Sequence, residues 1–374
     1  MAADGSGAVV SLDDEWSAPE TAVMDAIRRG IDGDGAVLAT IVDVEGSAYR
    51  GPGSKMLVDR EAGVGSITAG CLEDVVVDLA GEVRETGRSR VERFDLTGDD
   101  DVWGLGVGCN GVIDILLEPI DEGYRPVVDA YDDGSDAVVY TVVGTDGTAT
   151  VGDRVTVVDG EAPTDPPAWF DDDLAAAAGA VVAERDSGTV RADGTEVFVD
   201  CVTPPAELVL FGTGHDVAPV AELAHRSDFR ITVAGFRGAD AKRERFPAAD
   251  AVRSLSPAAV REELDLDADT YAVVMTHNFV DDAIAVDELL RTDVPYVGLM
   301  GPTERFERIL DEWHADGREV TEAELDRLYT PVGLDLGGGT PYQIAHSIVA
   351  ELLAVRFGRT PTHLRPSSLA RLRP

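Results

Sequence analysis

The sequence predicts an α/β protein of two parts: an N-terminal α+β domain and a C-terminal Rossmann-like domain on a doubly wound parallel sheet. Three observations predict this. From Ala206 onward, apolar runs of strand length alternate with helix-length segments, as helical crossovers in a parallel sheet require. Before that point, short apolar runs are separated by glycine-containing turns, which reads as hairpins. The first strand of the second part ends in Gly212-Thr213-Gly214-His215, a turn that opens a helix at the edge where open α/β sheets bind ligands.

In chain order, residues 1–18 are a polar lead-in. Residues 19–120 form the N-terminal domain, 121–205 a small α/β connector, 206–360 the Rossmann-like domain and 361–374 a tail. Helical spacing of Val23, Met24 and Ile27 predicts a helix over Pro19–Gly30, followed by a buried strand at Ala36–Val44. A hairpin is expected from Lys55–Asp59 and Val64–Ala69. A helix over Leu72–Thr86 should bury Val75, Leu79 and Val83, and strands follow at Arg90–Leu96 and Val112–Pro119. In the connector, strands are expected at Ala137–Val143, Arg154–Val158 and Val197–Val202, with an alanine-rich helix at Asp171–Glu184. The Rossmann-like part reads as strands at Glu207–Phe211, Arg230–Ala234, Ala251–Ser254, Tyr271–Met275 and Tyr296–Met300, with helices after the first and fourth of these. Thr340-Pro341-Tyr342-Gln343 combines a threonine N-cap, proline at N1 and glutamine at N3, so a capping box opens the last helix.

Composition narrows function. The 374 residues suffice for two or three domains, and 71 acidic against 31 basic residues give a formal charge of −40. With 44% hydrophobic residues and clear patterning, this is a folded, acid-coated, halophilic protein, because concentrated salt screens such self-repulsion. Nucleic acid and anionic membranes are excluded as partners by that charge. Cys71, Cys109 and Cys201 imply no disulfide framework and lack zinc-ligand spacing. No apolar stretch reaches the length of a membrane span, and the N-terminus lacks the features of a signal peptide, so a cytoplasmic location is expected.

Two cysteines lie in separate glycine-rich loops: Gly65-Ser66-Ile67-Thr68-Ala69-Gly70-Cys71-Leu72-Glu73, and Gly104 to Gly111 with Cys109 between Gly108 and Asn110. Glycine lets a backbone approach a ligand, and a thiol in such a loop is accessible. Cys71 stands where a helix dipole would favour a thiolate, opposed by Glu73 and Asp74; packing at a tight turn is the alternative. Cys109 has no packing reason in the sequence, whereas Cys201 at a strand end reads as buried and inert. The run Asp99-Asp100-Asp101 is a solvated face. In the second part, His215 and His277 both follow strand ends. Either His277 belongs to a ligand site, or Thr276 or Asn278 caps the next helix and the imidazole merely packs. Val217 replaces the third glycine of a dinucleotide fingerprint, and Gly235 stands where an acidic residue would hold an NAD ribose.

These residues resemble the XdhC/CoxI family, accessory factors of xanthine dehydrogenase and related molybdenum hydroxylases. The resemblance rests on Arg50–Met56, Gly65–Glu73, Gly108–Gly111, Phe211–His215, Met275–His277, Tyr296–Gly301 and Pro331–Gly337, and it covers most of residues 25–358 in the family's order. Asn110 and Gly235 depart from its usual pattern. The resemblance implies a chaperone, not an enzyme, that binds molybdenum cofactor (molybdopterin) as cargo, protects it during sulfuration and delivers it to a hydroxylase. The implied partners are the molybdenum hydroxylase apoenzyme and a cysteine desulfurase-type sulfurase, with self-association into a homodimer a further expectation. The candidate cofactor-binding residues are Cys109, Cys71, Gly70, Gly108, Gly111, Gly212, Gly214, His215 and His277, with Cys109 the candidate contact to molybdenum. An NAD(P)-dependent oxidoreductase using His277 as acid/base, and a nucleotide-sensing regulatory module, are the competing readings.

Overall fold

A computed structural model describes residues 18–33, 35–59, 62–96, 111–237 and 241–364. The chain divides into two compact units, Met1–Pro205 and Ala206–Pro374. Cys109, Gly108 and the Asp99–Asp101 run lie outside the described residues.

The first unit holds two antiparallel sheets. Helix α1 (Glu20–Ile31) buries Val23, Met24, Ile27 and Ile31 and is followed by strands β1 (Val37–Gly46), β2 (Lys55–Asp59) and β3 (Ala62–Gly65). Helix α2 (Glu73–Thr86), β4 (Arg90–Asp95) and β5 (Gly111–Pro119) complete a sheet of order β3-β2-β1-β5-β4. β1 is central and its first six residues are buried, as its unbroken apolar run requires. The hairpin strand expected to reach Ala69 ends at Gly65, whose φ of +88° turns the chain away. Helix α2 buries Glu73, Val76, Ala80 and Val83, so the expected Val75 and Leu79 lie only at the margin of its core. The small Ala80 made the true stripe hard to see.

Helix α3 (Arg125–Asp133), β6 (Ala137–Thr145), β7 (Arg154–Val158), α4 (Asp172–Ala183), β8 (Gly188–Ala192) and β9 (Thr195–Val202) follow, with the second sheet in order β7-β6-β9-β8. The sequence reading missed α3 and β8. Pro126 sits in the first turn of α3, where a missing N–H costs nothing, and Val127, Val128, Ala130 and Tyr131 are buried. β8 alternates half-buried and exposed residues around small side chains, too weak a signal to read.

The second unit runs β10 (Ala206–Phe211), α5 (Val217–His225), β11 (Phe229–Gly235), β12 (Ala251–Ser254), α6 (Val260–Glu263), β13 (Thr270–Val274), α7 (Phe279–Leu290), β14 (Tyr296–Leu299), α8 (Thr303–Ala315), α9 (Glu322–Leu325), β15 (Leu328–Tyr329) and α10 (Pro341–Arg356). Its six strands lie in order β12-β11-β10-β13-β14-β15, and each neighbouring pair is parallel. This is the doubly wound order whose direction reverses between β10 and β13.

Burial on both faces explains why Leu208-Val209-Leu210-Phe211 reads as a continuous apolar run. Leu208 and Leu210 share a core with Val220 and Ala221 of α5 and Ile348 and Leu352 of α10. Val209 and Phe211 face the opposite core, with Val286 and Leu289 of α7 and Ile309 and Trp313 of α8. The capping box of α10 is present: the Thr340 hydroxyl accepts from Gln343 N, and the Gln343 side chain returns to Thr340 N.

Candidate functional site

In the first unit the turn before α2 is built by Thr68 and Glu73. The Glu73 carboxylate is fully buried and accepts from Thr68 N (2.8 Å), from the Thr68 hydroxyl and from Leu72 N (3.1 Å). The Thr68 hydroxyl oxygen in turn accepts from the amides of Cys71 and Leu72, each at 3.2 Å. A carboxylate inside the protein thus occupies donors at the helix mouth, where the sequence suggested only an acid opposing a thiolate. Cys71 is half-buried, with its side chain against the α2 core. Gly70 has φ of +103°, and a Cβ there would meet no atom within 4 Å. Among the described residues, the Cβ side of this glycine is therefore open space beside the thiol. Gly111 has a different reason. A Cβ there would lie 2.7 Å from Ser47 O and 2.8 Å from Glu45 O, so close strand pairing demands this glycine.

Beyond the glycine loop, polar groups sealed inside the first unit hold its two sheets. Lys55 Nζ bonds Gly53 O at 2.9 Å and pairs with Asp200 at 2.8 Å, both side chains being under 10% exposed. Burial disfavours the ammonium charge, but Asp200, Glu20 and Glu118 outweigh it and hold the lysine above its ordinary pKa. Arg154 pairs with buried Glu118 and lies 4.0 Å over the Tyr124 ring. Cys201, adjoining Asp200, is half-buried. Burial first, then Asp200, Asp186 and Asp136, push its thiol up to about 11, so it stays protonated and unreactive at neutral pH.

At the carboxyl edge of the second sheet, Gly212 adopts φ of +147° and a Cβ would fall 2.5 Å from Met275 O. Only glycine lets β10 and β13 hand over to their loops so closely. Gly212 N donates to Ala234 O at 2.9 Å, which ties the turn to β11. Thr213 is held from outside, where Arg245 Nη2 donates to its carbonyl at 2.7 Å.

Asp216 follows at the mouth of α5, and its Oδ2 lies 2.8 Å from His277 Nε2. The pair stands beside Gly214, where a Cβ would lie 2.3 Å from Asp216 Oδ1 and 3.5 Å from His277 Nε2. His277 is 58% exposed and has φ of +59°, a left-handed backbone seldom tolerated by a side chain. The surrounding loop fixes it there. Asn278 caps α7 by accepting from Val280 N (3.0 Å) and Asp281 N (3.1 Å), as one sequence reading expected. The Thr276 hydroxyl accepts from Asn278 N (3.1 Å) and donates to buried Asp282, which Arg305 neutralises. His277 does not merely pack; it is presented beside the glycine turn with a carboxylate partner.

His215 is exposed, in the same turn. The structure therefore gathers Gly212, Gly214, His215 and His277 at one sheet edge, with Gly70 and Cys71 in the other unit. Sequence reading missed Asp216 and Arg245, and it gave Glu73 no structural part in the turn. In a chain so rich in acids, a single aspartate or glutamate carries no signal, and Arg245 acts 32 residues from its partner. Chemically, the edge offers backbone amides and an imidazole–carboxylate pair able to exchange a proton with a ligand. Among the described residues, no three His, Cys, Asp or Glu side chains converge as metal ligands, and no helix is long and apolar enough to cross a membrane.

Comparison with known proteins fits this arrangement. Residues 208–352 match the XdhC Rossmann domain, and residues 32–95 match the XdhC and CoxI family. A Bacillus subtilis (strain 168) protein, named as a probable xanthine dehydrogenase subunit, is 30% identical over 344 residues, spanning 89% of this chain and 96% of that protein. The molybdenum cofactor insertion chaperone PaoD of Escherichia coli (strain K12) is 32% identical over 120 residues, 29% of this chain and 36% of its own length. The crystal structure of a xanthine dehydrogenase from Bacillus halodurans aligns with a TM-score of 0.73 at 27% identity, covering 95% of this chain and 99% of that one. With one such relative matched along almost its whole length and both halves recognised separately, the chain belongs to the XdhC and CoxI family.

Proposed function

We propose that the protein is an accessory factor that binds molybdenum cofactor and delivers it, protected during sulfuration, to a xanthine dehydrogenase-type molybdenum hydroxylase. Similarity to the insertion chaperone PaoD and to the Bacillus subtilis protein supports this reading. The observation that carries it is the thiol loop of the first unit: half-buried Cys71 adjoins Gly70, where a Cβ would meet no atom of the described residues within 4 Å. A soft thiolate suits molybdenum and its sulfur ligands, and a glycine with open space beside it suits a flat pterin. Cys109 belongs to the second loop of the same composition, and we assign it the contact to the metal or its terminal ligand.

We assign the cofactor's reactive end to the thiol loops of the first unit. The client apoenzyme, a cysteine desulfurase-type sulfurase and a second copy of the chain are the proposed partners.

Complementation tests the assignment. In cells lacking the gene, the client hydroxylase should assemble but remain unsulfurated and inactive. Wild type and Cys201→Ser should restore it, and Cys109→Ser should not. Full restoration by a chain with both Cys71 and Cys109 replaced by serine would refute a thiolate role.

A further inference from the structure

We infer that the switch point of the second unit binds a nucleotide carrying a phosphate on its adenosine ribose. In dinucleotide folds the end of the second strand reads the ribose: an acidic residue accepts from its hydroxyls, or a nearby arginine takes a ribose phosphate. Here that strand is β11 and it ends on Gly235. A Cβ at this position would lie 2.8 Å from Thr213 Cγ2 and 3.0 Å from Ala241 Cβ, so packing leaves no room for an acidic side chain.

The residues that follow reverse the sign of the surface. Phe236 stacks on Phe211 at 5.8 Å and anchors the strand end. Arg237 is 67% exposed and reaches Asp281 only at 3.5 Å. Lys242 and Arg243 are exposed and have no carboxylate partner among the described residues. Three cations within seven positions stand out in a chain of net charge −40 with two lysines. Their place is at the ribose end of the crevice, and Arg245 ties the same segment to the Thr213 carbonyl at 2.7 Å. By sequence, Asp240 and Glu244 in this loop, with Asp281 and Asp216 in the neighbouring ones, are the opposing charges, and they leave the Arg237–Arg245 stretch net positive. Two or three cations suit a phosphate dianion, whereas a ribose bearing only hydroxyls would leave them unmatched.

This goes beyond the molybdenum-cofactor role and rests only on the switch point being a ligand site. Titrations of the full chain in molar KCl with NADPH, coenzyme A and NADH test it. NADPH or coenzyme A should bind about tenfold more tightly than NADH, as one or two charge-assisted hydrogen bonds imply. Which of the two binds tells a 2′-phosphate from a 3′-phosphate. Arg237→Ala, and separately the Lys242→Ala/Arg243→Ala double variant, should erase that preference while leaving NADH affinity, melting temperature and molybdenum content unchanged. No binding, equal affinity for all three ligands, or a preference that survives both variants overturns the proposal. A molybdenum content lost together with the preference would instead show that one ligand serves both roles, and would equally overturn it.

Discussion

Asp216 decides what the glycine turn of the second unit can accept. Its carboxylate sits at the positive end of α5, beside the glycine turn, and lies 2.8 Å from His277 Nε2. Asp216→Ala removes that negative charge from the helix mouth. Affinity for inorganic pyrophosphate should rise about two- to fivefold, the range of a charge at a helix terminus. Weaker or unchanged binding would mean that the turn is not an anion site. The sequence made Gly212, Gly214 and His277 legible because each follows a strand end. The Asp216–His277 pair was not legible, since its members stand 61 positions apart. Glu73 misled for a related reason: beside a cysteine it read only as a charge opposing a thiolate, whereas burial and three donors make it the organiser of the turn.

Among the elements, α10 shows how local chemistry was readable far ahead of packing. Its threonine, proline and glutamine announce a capped start, and the cap bonds are present. The helix then buries Ala345, Ile348, Val349 and Leu352 in the core that includes β10 and α5. Thr340→Ala should lose about 1 kcal/mol of stability, the usual cost of such a cap. Denaturant unfolding of the full chain, followed by a signal from the second unit, would measure it, and an unchanged midpoint would show that packing alone sets this helix end. Strands β10, β11, β13 and β14 were equally legible, because burial on both faces leaves unbroken apolar runs, whereas the two-residue β15 was not read. α3, α8 and β8 were not. α8 is charged on most of its surface and buries only Phe306, Ile309 and Trp313, a stripe easily lost among its acids and arginines.

For the whole molecule, charge is the first test. A net charge of −40 repels itself in dilute buffer and is screened within about 3 Å in molar salt. The melting temperature should therefore climb steadily from dilute buffer to molar KCl; a flat profile would contradict the halophilic reading. The central claim concerns cargo, and the most direct measurement is the molybdenum and pterin content of the chain purified anaerobically. Wild type and Cys201→Ser should retain both, and Cys109→Ser should lose most of each without loss of soluble yield. Equal molybdenum in wild type and in the Cys71→Ser/Cys109→Ser double variant would contradict the account.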